Sequence, residues 1–552
     1  MKKYKYLSIG FAAAISLAVS SCKKELDVKN PNSPTIEQAK DEPGIISLST
    51  AAVYINGFNG NSPSIIDNQN WLGDSYFSLG IGYHELLGDN ISAEASNQNI
   101  NVVNLPDYVI LDNGSKITNT SPSKSVIRIS NARDKKPANM FFYEWAYMYS
   151  LNNACNQVLA LVDNIKFTGN AETKKNTIKA WAYWWKGFAY SKIGSVYYAG
   201  IIDNTVGVGN TSTLVSTYVT SAAMITEANK NFDEASTLLS AITSTSDYST
   251  VLGKLLPNFV QTGKGGVLTT DMWIRNINTM KARNLLANKR LTAMTATDWS
   301  AVLTLVNAGI KSDDFVFTGR TSATNGFFSA SGGSVAAMTT GLPKSTTFKV
   351  SERLIQEYKT GDKRLATNFA TNQYTNQVGG FTFSTRWQLL DANGVDKGGV
   401  AVLSDKIPGN YELYIAGSYE ENELMKAEAL INTGSIPSGL LSINNVRTYQ
   451  GAGLAALSSA LSLTDAKEEL RRERRVALVF RGLAFYDARR WGVIDDISKG
   501  GGRTNAVVLG TDGVLNTHAT INYDFLDYWD VPADEYVINP PASGSAPIKN
   551  PN

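Results

Sequence analysis

FFYEWAYMYSLNNACNQVLALVDNI, residues 141–165, and TIKAWAYWWKGFAYSKIGSVYY, residues 177–198, decide the fold. In the first stretch Trp145, Met148, Asn152, Cys155, Val158 and Leu159 recur at three- and four-residue steps, the spacing of one helix face. In the second, Trp181, Trp184, Trp185, Phe188 and Ile193 make a broad aromatic face, and such a stripe packs against partner helices. A short polar gap joins the two, which predicts an αα-hairpin. The period returns over 222–239, 270–291, 298–310, 418–432, 435–450 and 464–491. Repeated helix pairs predict a mainly α protein on a TPR-type helix-pair scaffold. AYWWKGFAY, residues 182–190, carries the small and aromatic residues such repeats need, without a clean consensus.

Two regions interrupt the helices. Residues 56–137 and 315–417 are rich in Gly, Asn and Ser, with scattered aromatics and one short helix expected at 350–359. Long irregular insertions in a packed body usually carry function. The first holds Trp71, Tyr76, Tyr83 and His84 beside Asn68, Asn70, Asp74, Asp89 and Asn90. The second holds Phe381, Phe383 and Trp387. A sugar ring offers an apolar face of C–H groups and a rim of hydroxyls, so it needs a flat aromatic platform flanked by amides or carboxylates. Tyr and Trp supply that area at small entropy cost. The expected ligand contacts are Trp71, Asp74, Tyr76, Tyr83, Asn90 and Trp387; the plainer alternative is that these rings pin the loops to the body.

Composition narrows the classes. Lys+Arg 51 against Asp+Glu 49 nearly cancel, and only 18% of residues are charged, so no net field exists to attract nucleic acid. Arg471 to Arg475 and Arg489–Arg490 alternate with Glu468, Glu469, Glu473 and Asp487 at helical spacing, which reads as local ion pairs, with Arg474, Arg475 and Asp487 in salt bridges. Two histidines, His84 and His518, and two cysteines argue against a metal site, a cofactor or a disulfide framework. Cys155, inside a helical pattern, reads as a small core residue. Asp313-Asp314 and Glu420-Glu421 are adjacent acids and read as solvated faces. No nucleophile elbow, P-loop or His-Glu-x-x-His motif occurs, and nothing marks the two opposed carboxylates of a glycoside hydrolase.

The N-terminus predicts processing. Lys2, Lys3 and Lys5 precede the apolar run LSIGFAAAISLAV, residues 7–19, too short to span a hydrocarbon core of about 30 Å and suited to a signal peptide. Val19-Ser20-Ser21-Cys22 resembles the bacterial lipobox, in which the cysteine is lipidated and the chain is cut before it. The expected organisation is a signal peptide over 1–21, a lipidated flexible tether over 22–40, and one helical body over 41–552 with the two insertions.

Several stretches together resemble the SusD/RagB family, the outer-membrane nutrient-binding lipoproteins of Bacteroidetes. They are CKKELDVKNPNSPT from Cys22, the helix pair 141–165 and 177–198, Gly88-Asp89-Asn90, SERLIQEYKTGDKRL from Ser351 with its Asp-x-Arg, and ERRVALVFRGLAFYDARRWG over 473–492. They follow the family's order along nearly the whole chain. Departures mark a divergent member. The family usually has acids where this chain has Ala477 and Arg481, a base near Ala484, and Pro-Ile-Pro where it has Val531-Pro532-Ala533. The resemblance implies a SusD-like fold and a non-enzymatic role in polysaccharide utilization: glycan capture on the outer face of the outer membrane and transfer to a TonB-dependent transporter of the SusC type. Capture of peptides or other nutrients for the same kind of transporter is the alternative, and a surface glycoside hydrolase a third.

Overall fold

The computed structural model describes residues 39–55, 82–93, 100–133, 140–206, 214–319, 348–375, 383–391, 394–405 and 407–552. Cys22 and most of the expected tether lie outside the described residues.

Many of the helices start where a side chain takes up a free N–H group of the first turn. Asn170 opens Ala171–Val196 by accepting from the Thr173 N–H at 2.9 Å. Thr220 opens Ser221–Ser240, and Thr269 opens Thr270–Ala287. Thr295 opens Ala296–Asn307, with Asp298 closing a capping box. The expected hairpin forms from Met140–Val162 and Ala171–Val196, and the latter also packs along Ser221–Ser240. Gly187 permits that approach: a Cβ there would stand 2.7 Å from the Phe232 ring.

Trp181, Trp184, Trp185 and Trp273 are fully buried. Trp184 and Trp185 meet edge to face at 4.6 Å, and Phe317 lies 4.5 Å from Trp184. Each such ring contributes about 2–3 kcal/mol through burial. Cys155 belongs to the same core, and burial pushes its thiol up to about 12. A second, smaller core joins Trp299, Val302 and Val306 to Met425 and Ala429. Among the described residues no helix is long and apolar enough to cross a membrane.

Three features differ from the sequence reading. First, parts of the two insertions are regular. Tyr108–Ile110 and Lys116–Thr118 extend the hairpin of Arg503–Leu509 and Leu515–Asn522 into a four-stranded antiparallel sheet, with Val109 opposite Ile521. Ile91–Ala93 pairs with Phe348–Val350, and Phe369–Tyr374 with Thr385–Leu389. Strands this short hold too few alternations to show a period of two, and several have partners far away in sequence. The helix expected at 350–359 is the single turn Glu352–Ile355, started by Ser351.

Second, the helix expected over 464–491 is two, Leu463–Ala477 and Ala484–Arg490. Between them Phe480 (φ 59°) and Gly482 (φ 70°) take the left-handed conformation. For Phe480 this costs about 1–2 kcal/mol, offset by burial of its ring. The Gly482 N–H donates to Glu85 Oε1 at 3.0 Å, which fixes the reversal.

Third, the arginines of this segment pair mostly over long range. Arg471–Glu468 and Arg490–Asp487 are local, and Arg474 does pair with Asp487 at 2.8 Å. Arg475, however, reaches Glu357 at 2.8 Å, and Arg490 reaches Glu428 at 2.6 Å. Glu473 accepts from both Arg364 and Arg447, and Asp362 holds Arg364 from the other side. Asp89 takes Arg353 at 2.8 Å and the Tyr523 hydroxyl at 2.6 Å. Arg489 donates to the carbonyls of Ser195 and Ala287, covering the ends of two helices.

Asp89 and Glu357 are both held at about 2: burial opposes the charge, and Arg353 beside Asp89, with Arg475 and Arg471 beside Glu357, outweighs it. Their ordinary values are 3.8 and 4.5, so the stability they contribute is complete above those values and is lost as pH falls toward 2. Urea unfolding should lose about 2 kcal/mol per group between pH 6 and pH 2, and Glu357→Gln should lower stability at pH 7 and flatten that decline. A wild-type profile flat down to pH 2 would contradict the ion-pair assignment.

Candidate functional site

The segment Gly409–Tyr414 leads from a turn into Leu413–Tyr414, a short strand paired with Thr318–Gly319. Gly409 (φ 94°) sits against Gly263 (φ 57°), where a Cβ would stand 2.4 Å from the Gly409 carbonyl oxygen. This contact locks two loops together over the start of Tyr419–Asn432. Opposite them, the Gln450 carbonyl accepts from the Ala401 N–H at 3.1 Å, holding the end of Ile436–Tyr449 to the 394–405 segment. The space enclosed is an open cleft of about 680 Å³, within the range of small-molecule sites.

Three half-buried tyrosines line it, Tyr411, Tyr414 and Tyr449, together with Glu420, Gln450 and Lys264. Behind this wall, Arg481 lies between two of the rings, its guanidinium carbon 4.3 Å from the Tyr411 centroid and 4.2 Å from that of Tyr414. Its Nη1 donates to the Glu412 carbonyl at 2.9 Å. Burial opposes the Arg481 charge, but Tyr411, Tyr414 and Glu420 raise it above its ordinary value. Burial pushes the Tyr414 and Tyr449 hydroxyls up, Glu420 adds to the rise, and both stay neutral and able to donate. Tyr419 meets Tyr449 edge to face at 4.9 Å and is raised to about 12, first by burial.

Glu420 is the distinctive group. It is 5% exposed, and Gln450 Nε2 approaches its Oε1 at 3.4 Å. Its Oε2 is buried with no hydrogen-bond partner among the described residues. An unpaired carboxylate oxygen in such a place costs about 1–3 kcal/mol. The expected solvated face at Glu420-Glu421 is therefore corrected: Glu421 is also buried, forked on Arg283 at 2.6 and 2.5 Å. Asp314 is likewise buried and paired with Arg275, while Asp313 is exposed.

The residues expected from sequence do not gather at this cleft. Trp71, Asp74 and Tyr76, with Asn68, Asn70 and Phe381, lie outside the described residues. Tyr83 and Asn90 are buried, which corrects their assignment as ligand contacts. Asn90 is spent on architecture: its Oδ1 accepts from Arg475 at 2.9 Å, and its Nδ2 donates to Glu85 at 2.8 Å. His84 is enclosed by Phe485, Tyr486 and Trp529. Trp387 is half-buried on the Thr385–Leu389 strand opposite Thr371 and is not among the cleft's lining residues. The missed signal was NYELY, residues 410–414: tyrosines three apart in a glycine-bounded turn, just ahead of an acidic helix start. A second cavity of about 400 Å³ near the C-terminus is lined by charges already paired, Arg290 with Asp495 at 2.9 Å and Lys124 with Asp524 at 2.8 Å. Among the described residues no cluster of His, Cys, Asp and Glu suits a metal ion.

No family model matches the sequence, and no curated protein matches it. Solved structures do match in fold. A SusD-like carbohydrate binding protein from Bacteroides fragilis aligns with TM-score 0.55 and 13% identity, over 90% of this chain and 98% of its own. A SusD superfamily protein from Parabacteroides distasonis gives 0.55 and 14%, over 91% and 99%. One from Bacteroides vulgatus gives 0.53 and 15%, over 91% and 98%. The chain has the SusD-like fold, as the sequence resemblance implied.

A guanidinium held between two ring faces is worth about 1–2 kcal/mol. Arg481→Gln should cost that much in urea unfolding while leaving the helical circular dichroism unchanged; no loss of stability would remove the stack from the architecture of the cleft.

Proposed function

We propose that the chain is a SusD/RagB-family surface lipoprotein that captures glycan and delivers it to a TonB-dependent outer-membrane transporter of the SusC type. The observation that carries this reading is the tyrosine-lined cleft with an unpaired carboxylate oxygen, on a fold shared over nine-tenths of the chain with a protein described as carbohydrate binding. Sugar C–H faces would lie on the Tyr411, Tyr414 and Tyr449 rings. A ring hydroxyl would donate to the Glu420 carboxylate, and Lys264 would donate to a neighbouring oxygen. Contacts of this kind bind a single sugar weakly, so useful affinity comes from an extended chain meeting several of them. The role is binding and delivery rather than bond cleavage.

Membrane attachment rests on Cys22. Two acyl chains on one residue hold a protein stably where one chain does not, and KKELDVKNPNSPT, residues 23–35, would let the helical body move over a transporter while staying attached.

Affinity electrophoresis in polysaccharide-containing gels tests the capture. Retardation by at least one glycan is expected, weakened about tenfold by Tyr449→Ala or Glu420→Gln, a loss of roughly 1.4 kcal/mol. Retention of peptides and of no glycan would replace glycan with peptide as the ligand. Cys22→Ser should move the protein from the membrane to the soluble fraction; continued membrane retention would contradict the lipid anchor.

A further inference from the structure

The arginine-rich end of Leu463–Ala477 leaves a small space against Ala484–Arg490. Its volume is about 20 Å³, room for one water-sized particle and little more. Arg471, Arg474, Arg475, Arg503 and Asp487 line it, together with apolar residues such as Leu478 and Val493.

Most of the donors are spent. Arg475 gives Nη1 to Glu357 and to the Arg353 carbonyl, and Nη2 to the Asp89 carbonyl and Asn90 Oδ1, all at 2.8–2.9 Å. Arg471 is forked on Glu357 and Glu468. Arg503 gives Nε to the Tyr523 hydroxyl at 3.2 Å. Arg474 gives Nε to one Asp487 oxygen at 2.8 Å, and Arg490 takes the other at 2.7 Å. Arg474 Nη1 remains. It is buried, on a residue 5% exposed, and has no hydrogen-bond partner among the described residues. A buried donor on a charged group left unmade costs more than a neutral one.

The surrounding charge is positive. Through the ion pairs, Arg353, Arg472 and Arg490 join the four wall arginines, against Asp89, Glu357, Glu428, Glu468 and Asp487. Seven guanidinium groups thus meet five carboxylates. The next acid, Glu85, is pushed up to about 7, chiefly by burial; even fully ionised it leaves an excess cation. Burial first, and Arg503 second, draw Arg475 down to about 10, against Glu357 and Asp89, which raise it.

We propose that this space is a binding site for one monatomic anion, a halide, held by the Arg474 Nη1 donor within the positive charge of the flanking arginines. The volume excludes sulfate and phosphate, and the orphan donor with an excess of positive charge around it favours an anion over a neutral water. The bound halide ties Leu463–Ala477 to the chain reversal at Phe480, and a ligand of the folded state alone stabilises it by mass action.

Crystals grown in sodium bromide and measured at the bromine edge test the site. An anomalous peak within hydrogen-bonding distance of Arg474 Nη1 is expected; its absence, with water or nothing in the space, overturns the proposal. In solution at equal ionic strength, sodium bromide should raise the melting temperature by about 2–4 °C over sodium gluconate, whose anion is too large to enter. Arg474→Lys keeps a cation for Asp487 and removes Nη1, so the increment should vanish in it. An increment that survives in Arg474→Lys is a surface salt effect and overturns the site. A bromide peak without any wild-type increment marks an adventitious ion only and does the same. Should Arg474→Lys fail to fold, the bromide crystal decides.

Discussion

Buried arginines whose charges have to be met inside the protein set the terms for everything around them. Glu473 answers two of them, Arg364 and Arg447, from two different segments. Glu357 answers Arg471 and Arg475, and Glu428 answers Arg490. Taking a guanidinium or carboxylate out of water costs several kcal/mol, and losing one partner of a buried pair costs about 3–5 kcal/mol because the other is stranded. Such a lattice adds little net stability over an apolar core. Its consequence is selection: segments hundreds of residues apart meet in one arrangement or leave charges bare. Asp89 near the start, Arg353 and Arg364 in the middle and Tyr523 near the end are brought together this way.

The lattice also decides where the cleft lies. Arg474 and Arg475 fix the end of one helix, and Arg490 fixes the next by its hold on Glu428. The chain between has to reverse, and it does so at Phe480 and Gly482. Arg481, placed inside that reversal, emerges on the far side of the lattice between Tyr411 and Tyr414. The cleft's double ring stack is therefore built on a residue of the reversal. Gly263 against Gly409 then closes the loops over it.

Much of the scaffold is legible in the sequence because helix signals are local. Tryptophans at 181, 184 and 185 announce a buried face, and Thr295 with Asp298 announces a helix start within a few residues. The strand pairs were not legible, because Val109 finds Ile521 across the chain and each strand is too short to show its alternation. The break at 478–483 was hidden for a related reason: apolar and charged residues keep a helical period through it, and only the distant Glu85 reveals why Gly482 turns. At the site, Tyr83 and Asn90 fit an aromatic-and-amide platform in sequence but are buried in space. Burial, which separates a platform from a packing residue, is not written in the local pattern.

Two buried groups stand out by what they lack, and they differ in sign. Glu420, which lines the open cleft, has a buried acceptor without a donor at Oε2, and Arg474, which lines the small space, has a buried donor without an acceptor at Nη1. Elsewhere in the lattice, carboxylates such as Asp487 and Glu473 spend both oxygens. Under the proposed function, the open cleft takes a large neutral ligand that brings hydroxyl donors and leaves again. The enclosed space admits a single small anion that stays with the fold. Exchange with solvent therefore separates the two: a capture site has to be vacant and costly between ligands, while a structural site has to be filled from folding onward.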